Sequence, residues 1–183
     1  MKLVVSQLKE GENPLSFNSL HDKWVEALLK HLQTQGAYQV RGAFEMSGTL
    51  TKLEPDYYLR ARLRFEVNQV CSRCAEPFAL SVQHPFGVAL AHVPAGQARE
   101  STENEESEEL DITYFSGNEL ELAPILEEQF VLSMPYQAVC QTDCKGVCQR
   151  CGKNLNLASC TCASGSKPNA FSALKDIKIE KVS

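Results

Sequence analysis

The chain has 183 residues, of which 43% are apolar, enough for one domain with a hydrophobic core and a small appendage. It contains no apolar stretch near the ~20 residues that cross a bilayer, which excludes a membrane-spanning helix. The net charge of −5 is spread unevenly. Residues 1–94 are nearly neutral, residues 95–144 carry twelve acidic side chains and one basic one, and residues 145–183 carry seven basic and two acidic. An acidic segment is therefore followed by a basic one.

The N-terminal residues predict a short strand followed by a helix. Residues 2–8 suit a strand but are too short and too interrupted for a signal peptide, so we expect a cytoplasmic chain with reduced thiols. Ser19 is a candidate N-cap for the helix, and Gly36 is expected to end it. The helix itself is indicated by apolar residues at helical spacing: Trp24, Leu28, Leu29 and Leu32.

Three runs between residues 38 and 90 alternate strictly between apolar and polar residues, which is typical of β-strands with one buried face. Turns are expected around Pro55 and at Cys71–Cys74. The apolar phase of the second run consists of Tyr57, Leu59, Ala61, Leu63, Phe65 and Val67. Residues 1–94 are therefore predicted to form an antiparallel meander, open or curled toward a barrel, with one helix.

Residues 95–109 form the centre of the acidic segment. Its glutamates are Glu100, Glu103, Glu105, Glu106, Glu108 and Glu109. This composition buries too little apolar area to offset the entropy of ordering, so we interpret the segment as a disordered loop. The alternative is an acidic arm that mimics nucleic acid or gates a basic surface.

Residues 110–139 are predicted to complete the core. Leu110–Phe115 has the pattern of a strand. Pro124 stands where the first turn of a helix tolerates proline, and Pro135 closes that helix.

The eight cysteines fall into four closely spaced pairs, six of them within residues 140–162. Two residues between cysteines let both sulfurs point at one tetrahedral ion, and the glycine after Cys151 suits the left-handed turn that follows. The loop from Cys151 to Cys160 is short enough to close locally, which leaves Cys71 and Cys74 to meet the remaining pair. The two predicted zinc sites are Cys71/Cys74/Cys140/Cys144 and Cys148/Cys151/Cys160/Cys162.

These segments together predict an α+β protein with two or three helices. The sheet is followed by a C-terminal zinc-binding module at 140–162 and a basic tail at 163–183, which has a short helical pattern around Phe171. The module has almost no apolar residues of its own, so bound zinc would supply much of its folding energy.

Other cysteine chemistry remains open. A redox CxxC normally lies in a βαβ setting, an iron–sulfur cluster also takes four cysteines, and disulfides require an oxidising compartment. A catalytic zinc keeps an open coordination position, and no HExxH, phosphate-loop or nucleophile motif is present. We therefore expect structural zinc, no small-molecule substrate and no enzymatic activity.

One strand has a pattern that suits nucleic acid. Its outward phase is Tyr58, Arg60, Arg62 and Arg64, which is spaced for a phosphate track beside an aromatic ring. A second basic group in the module is Lys145, Arg150 and Lys153. The alternative is a solvated outer face on which Glu66 and Glu45 pair with the arginines.

Three segments resemble the large ribosomal RNA subunit accumulation protein (YceD) family. Cys71–Phe78 is similar to its CxRC-L-x-P-F element, Leu126–Pro135 to its helix ending in L-x-L-P, and Cys144–Asn156 to its CxGLCxxCGxNLN block. Two departures are Ala75, where leucine is usual, and Lys167–Asn169, where the family often has a Pro-Arg step.

The resemblance implies a bacterial or organellar protein needed for synthesis, processing or stability of large-subunit (23S) ribosomal RNA, without known catalytic activity. Its partner would be large-subunit rRNA, a ribosomal protein or a processing enzyme. The alternative is a protein-only adaptor that recruits a partner through the zinc module and the acidic loop.

Overall fold

The computed structural model describes residues 1–35, 38–93 and 112–162. The predicted acidic loop at 95–109, the basic tail and the third helix near Phe171 lie outside these residues. In chain order the elements are β1 (Lys2–Val4), a 3₁₀ turn (Val5–Gln7), β2 (Gly11–Asn18), α1 (Lys23–Gln35), β3 (Gln39–Leu53), β4 (Asp56–Val70), β5 (Pro77–Val93), β6 (Ile112–Ser116), β7 (Glu119–Glu121) and α2 (Leu122–Leu132).

The α+β prediction is confirmed, but the main sheet is mixed rather than wholly antiparallel. Its order is β2-β3-β4-β5-β6, and the first four strands pair antiparallel, whereas β6 pairs parallel to β5. A parallel neighbour needs a crossover of a dozen or more residues, and residues 94–111 are long enough to supply it. Alternation of apolar residues does not reveal strand direction. Among the described strands the sheet is open, with β2 and β6 at opposite edges.

The start of the chain differs from the sequence prediction. Strand β2 was missed, because its inward phase includes Gly11 and Asn13 rather than apolar residues alone. Ser19 is not the N-cap of α1, since its hydroxyl accepts a hydrogen bond from the backbone N–H of Phe44 at 3.0 Å. The helix begins four residues later, and its first backbone hydrogen bonds end on the carbonyl of Asp22.

Both helices pack on the same face of the sheet. Leu28, Leu29 and Leu32 of α1 join Leu126 and Phe130 of α2 in one buried cluster with the inward phase of the strands. Phe130 stacks on Phe65 of β4 with ring centroids 4.9 Å apart. The predicted buried phase of β4 is confirmed throughout. Both helices thus lie on the inner face of the sheet. Among the described residues, the outer face carries no helix.

The chain after α2 returns to the tip of the β4–β5 hairpin. Pro124 lies in the first turn of α2, as predicted, and the helix ends at Leu132. The backbone N–H of Ser72 at the hairpin tip then donates to the carbonyl of Ala138 at 2.8 Å. This contact brings the cysteine-rich segment against the sheet. No helix in the described ranges is long and apolar enough to cross a membrane.

Candidate metal centres and an arginine face

Four cysteines from distant parts of the chain meet at the tip of the β4–β5 hairpin. This first centre consists of Cys71, Cys74, Cys140 and Cys144, whose sulfurs all lie within 4.8 Å of one another. The sulfurs of Cys71 and Cys144 are 3.8 Å apart, and those of Cys74 and Cys140 are 3.7 Å apart. Phe78 and Val139 pack against the cluster. The grouping predicted from the sequence is therefore confirmed.

The turn at Cys71–Cys74 has the geometry of a metal knuckle. The backbone N–H of Ala75 donates to the Cys71 carbonyl at 2.9 Å, and Ala75 takes a left-handed φ of 60°. The Cys71 sulfur accepts backbone N–H groups from Arg73 at 3.5 Å and Cys140 at 3.4 Å. Such donors stabilise a thiolate, which is the form of cysteine that binds metal.

The second centre is Cys148, Cys151, Cys160 and Cys162, again with all sulfurs within 4.8 Å. The sulfurs of Cys148 and Cys160 are 3.3 Å apart, and those of Cys151 and Cys160 are 4.0 Å apart. The knuckle repeats here with Gly152 at φ 71°, as predicted, and its N–H donates to the Cys148 carbonyl at 2.8 Å. Cys151 and Cys162 are exposed, so this centre is more open to solvent than the first.

The sulfur spacing fits a tetrahedral ion. Zinc–sulfur bonds of about 2.3 Å place the sulfurs of a tetrahedral site about 3.8 Å apart. The sulfur–sulfur distances of 3.7 and 3.8 Å in the first centre match that value, and the distances of 3.3 and 4.0 Å in the second lie on either side of it. None of the eight cysteines forms a disulfide. Each donor set consists of four thiols, so an ion held by all four would have a closed coordination shell.

The thiols of each centre differ sharply in acidity. Burial raises the pKa of Cys71, but backbone N–H donors outweigh it and leave that pKa lowered to about 6. Burial and neighbouring thiols raise the pKa of Cys140 to about 12. In the second centre backbone donors lower the pKa of Cys148 to about 6, and neighbouring thiols raise that of Cys162 to about 12. Four contacting sulfurs therefore do not all ionise unless a cation joins them.

The residues that join the two centres are Asn154, Leu155 and Asn156. The backbone N–H of Leu155 donates to the Gly146 carbonyl at 2.9 Å, and the Asn154 amide donates to the Glu76 carboxylate at 3.2 Å. The loop of the second centre thus lies against both the hairpin tip and the first centre.

The predicted nucleic-acid residues of β4 share the open outer face of the sheet. We call Tyr58, Arg60, Arg62 and Arg64 the arginine face. Their cross-strand neighbours are small or uncharged over most of its length: Thr51, Thr49 and Ser47 on β3, and Ala89, Gly87 and Pro85 on β5. Within the described ranges none of the three arginines forms a salt bridge.

The alternative prediction, in which acidic side chains pair with the arginines on the outer face, fits the structure only in part. Glu45 lies directly opposite Arg64, but its carboxylate accepts a hydrogen bond from the Asn18 amide at 3.0 Å. Glu66 lies one step beyond Arg64 on the same face, opposite Arg41. The guanidinium carbon of Arg60 is 5.1 Å from the ring centroid of Tyr58.

The second basic group predicted from the sequence belongs to the cysteine module. Lys145, Arg150 and Lys153 are exposed around the two centres, beyond the end of β4.

Two residues that sequence analysis missed belong to the outer face of the sheet. Gly87 lies opposite Arg60, where the Tyr58 hydroxyl approaches it, and Tyr114 on β6 is 53% exposed. Only the strand register reveals them.

Comparison with known proteins shows which family the chain resembles. The chain matches the family described as Large ribosomal RNA subunit accumulation protein YceD over residues 59–178. Two curated relatives are chloroplastic proteins named Large ribosomal RNA subunit accumulation protein YCED homolog 1. The one from Arabidopsis thaliana is 22% identical over 137 residues, covering 59% of this chain and 40% of the relative. The one from Zea mays is 26% identical over 147 residues, covering 65% and 49%.

The chain spans less than half the length of either relative. No solved structure matches it. Since residues 59–178 make up more than half of the chain and contain all eight cysteines, the chain belongs to the YceD family of large ribosomal RNA subunit accumulation proteins.

Proposed function

We propose that this protein is a non-enzymatic cytoplasmic factor that supports synthesis, processing or stability of large-subunit (23S) ribosomal RNA. The family match carries this proposal, and the names of both plant relatives refer to accumulation of the large-subunit RNA. The partner is large-subunit rRNA, a ribosomal protein or a processing enzyme. Eight thiols without a disulfide fit a reducing compartment.

Zinc is the metal that we assign to both centres. Four thiolates in a tetrahedral arrangement suit zinc, and a closed shell makes the ion structural rather than catalytic. The first centre would bond the hairpin tip to the segment after α2, and the second would fold the loop at 152–158. The donor set leaves no coordination position for a substrate, which supports a role without catalysis at these centres.

Metal analysis of the purified full-length chain tests this assignment. Protein prepared under reducing conditions, without a metal-binding tag, should contain two zinc ions per chain and no iron absorption. An iron chromophore, or eight freely titrating thiols without zinc, would contradict structural zinc.

The cellular role is tested by removing the gene and measuring the ratio of 23S to 16S rRNA. We expect the ratio to fall and the intact gene to restore it. A complementing gene with Cys71→Ser and Cys74→Ser should fail to restore it, because the module would no longer be bonded to the sheet. An unchanged ratio in cells without the gene would overturn the proposed function.

A protein-only adaptor is the second candidate. It is favoured by exposed apolar side chains at the end of α2, Val131 and Leu132, and by Tyr136 in the segment that leads to the first centre, which is 99% exposed. An adaptor would capture a protein partner that survives nuclease treatment and would be indifferent to charge reversal at the arginine face. Loss of the partner on nuclease treatment would favour the RNA-contacting form.

A further inference from the structure

We propose that the outer face of the sheet, from the arginine face across to Tyr114, binds single-stranded RNA. This inference rests on the proposed function and names the chemical class of its partner. Four properties of the face support it: its openness, the spacing of its charges, its aromatic side chains and its boundary.

The face carries no helix among the described residues. Both helices lie on the inner side, and the side chains that flank Tyr58, Arg60 and Arg62 on the outer side are short or absent. A strand of nucleic acid can therefore approach the sheet closely. Arg62 and Arg64 also line a cavity of about 220 Å³ together with Ser16 of β2 and with Ser47 and Glu45 of β3.

The arginines have the spacing and freedom that a phosphate track needs. Alternate residues of a strand are about 6.6 Å apart, so Arg60, Arg62 and Arg64 present three guanidinium groups in a row along β4. That repeat is comparable to the step between successive phosphates of an extended strand. Because no described acid forms a salt bridge with them, binding a phosphate does not require breaking an internal ion pair.

Tyr58 is held in a position that depends on Gly87. A Cβ atom at Gly87 would lie 2.6 Å from the Tyr58 hydroxyl oxygen and 3.3 Å from its ring carbon Cζ. The missing side chain thus leaves room for the ring to lie across β5, where the Arg60 guanidinium lies over it in a cation–π contact. Bases stack on aromatic rings and on guanidinium planes alike, so this pair offers a platform for one base.

Tyr114 adds a second aromatic side chain on the same face. It pairs with Ala91 of β5, in the outward phase next to Ile112 and Ala89. Two strand spacings separate β4 from β6, which is about 10 Å across the sheet. Tyr58 lies opposite Ala89 and Tyr114 opposite Ala91, so the two aromatic residues are also offset along the strands. Aromatic residues spaced apart in this way suit unstacked bases, which single strands offer and duplexes do not.

The boundary of the face limits the length of the track. Beyond Arg64 the same phase of β4 continues with Glu66, whose negative charge disfavours a phosphate. The track is therefore about three phosphates long and ends before the cysteine module. The carboxylates of an acidic protein could also bind the arginines, but they would not interact with the Tyr58 ring that lies across β5.

Binding is measured by fluorescence anisotropy with a 5′-labelled 12-nucleotide oligouridine and, separately, a 12-base-pair RNA duplex. The protein is the full chain loaded with zinc. The test variant is Arg60→Gln/Arg62→Gln/Arg64→Gln. The matched control, Lys9→Gln/Lys23→Gln/Lys30→Gln, removes the same charge from exposed residues outside the arginine face.

We expect the test variant to weaken oligouridine binding at least tenfold and the control to change it less than twofold. Each phosphate contact contributes about 0.7 to the slope of log affinity against log salt, so three lost contacts should reduce the slope by about 2. Tyr58→Ala should weaken binding about tenfold through lost stacking, whereas Tyr58→Phe keeps the ring and the affinity. Zinc content of two per chain in each variant confirms that it is folded.

Equal losses in the test and control variants, equal affinity for the duplex, or no oligouridine binding would overturn the inference. Its failure is separable from that of the proposed function. If cells with the arginine variant keep a normal 23S-to-16S ratio while cells without the gene do not, the face is not the binding site and the proposed function stands.

Discussion

The side-chain amide of Asn156 donates a hydrogen bond to the Cys144 sulfur at 3.3 Å, which links the two cysteine centres. The same side chain accepts the backbone N–H of Lys145 at 2.8 Å. Asn156 belongs to the loop between Cys151 and Cys160, whose ends carry ligands of the second centre. Folding of the second centre therefore places a hydrogen-bond donor on a sulfur of the first.

Replacing Asn156 by alanine should loosen zinc in the first centre without removing any ligand. Hydrogen bonds around a metal site tune its affinity, and their loss typically costs 10- to 100-fold. We expect zinc affinity at one of the two sites to fall about tenfold, measured by competition with a chromophoric chelator. Asn68→Ala, a change on the exposed side of β4, is the control and should leave both affinities unchanged. Equal affinities in Asn156→Ala and the unmodified chain would contradict the link.

Removal of each centre should have a different effect on the rest of the chain. The variant Cys160→Ser/Cys162→Ser should lose one zinc and keep the thermal unfolding of the sheet, because the second centre lies outside the main core. The variant Cys71→Ser/Cys74→Ser should also lose one zinc, but it frees the segment after α2 from the hairpin tip. Limited proteolysis should then cut between Leu132 and Cys148. Loss of both ions from the Cys160/Cys162 variant would show that the first centre does not form independently.

Much of this architecture could be predicted from local patterns in the sequence. The inward phase of β4 follows from its periodicity. The second centre follows from the short loop between its cysteine pairs, and the first from the two distant pairs that remain. The parallel pairing of β6 could not be predicted, because it depends on a crossover and not on the pattern of the strand itself. The approach of Gly87 to Tyr58 joins residues 29 positions apart in sequence, so only the register of β4 against β5 reveals it.

The two knuckles suggest a stabilising substitution. Ala75 takes a φ of 60° where the second knuckle has Gly152 at 71°. A left-handed conformation costs an L-residue roughly 1–2 kcal/mol, part of which glycine loses again through the freedom of the unfolded chain. Ala75→Gly should therefore raise the free energy of unfolding by about 0.5–1 kcal/mol, measured by denaturant titration at saturating zinc. Ala79→Gly, in the exposed phase of β5, should lower it by about the same amount, because that strand position gains nothing from glycine.

The contact between Gly146 and the hairpin tip gives the sharpest test of how the module docks. Gly146 has a φ of +72°, and a Cβ atom there would lie 3.0 Å from the Arg73 carbonyl oxygen, which also accepts the backbone N–H of Val147. Gly117 has a similar φ of +76° with nothing within 4 Å of a Cβ. Gly117→Ala should thus lower the free energy of unfolding by about 1 kcal/mol, because alanine disfavours the left-handed conformation. Gly146→Ala should lower it by at least about 1 kcal/mol more, because the added Cβ also meets the Arg73 carbonyl.

Denaturant titrations of the two alanine variants at saturating zinc measure that difference directly. Gly146→Ala should also speed zinc release to a chelator, since displacement of Arg73 disturbs the turn that holds Cys71 and Cys74. Gly117→Ala should not, because Gly117 lies between β6 and β7. Equal destabilisation by both variants would mean that the packing of Gly146 against the hairpin tip does not contribute to stability. The loss would then come from the backbone conformation alone.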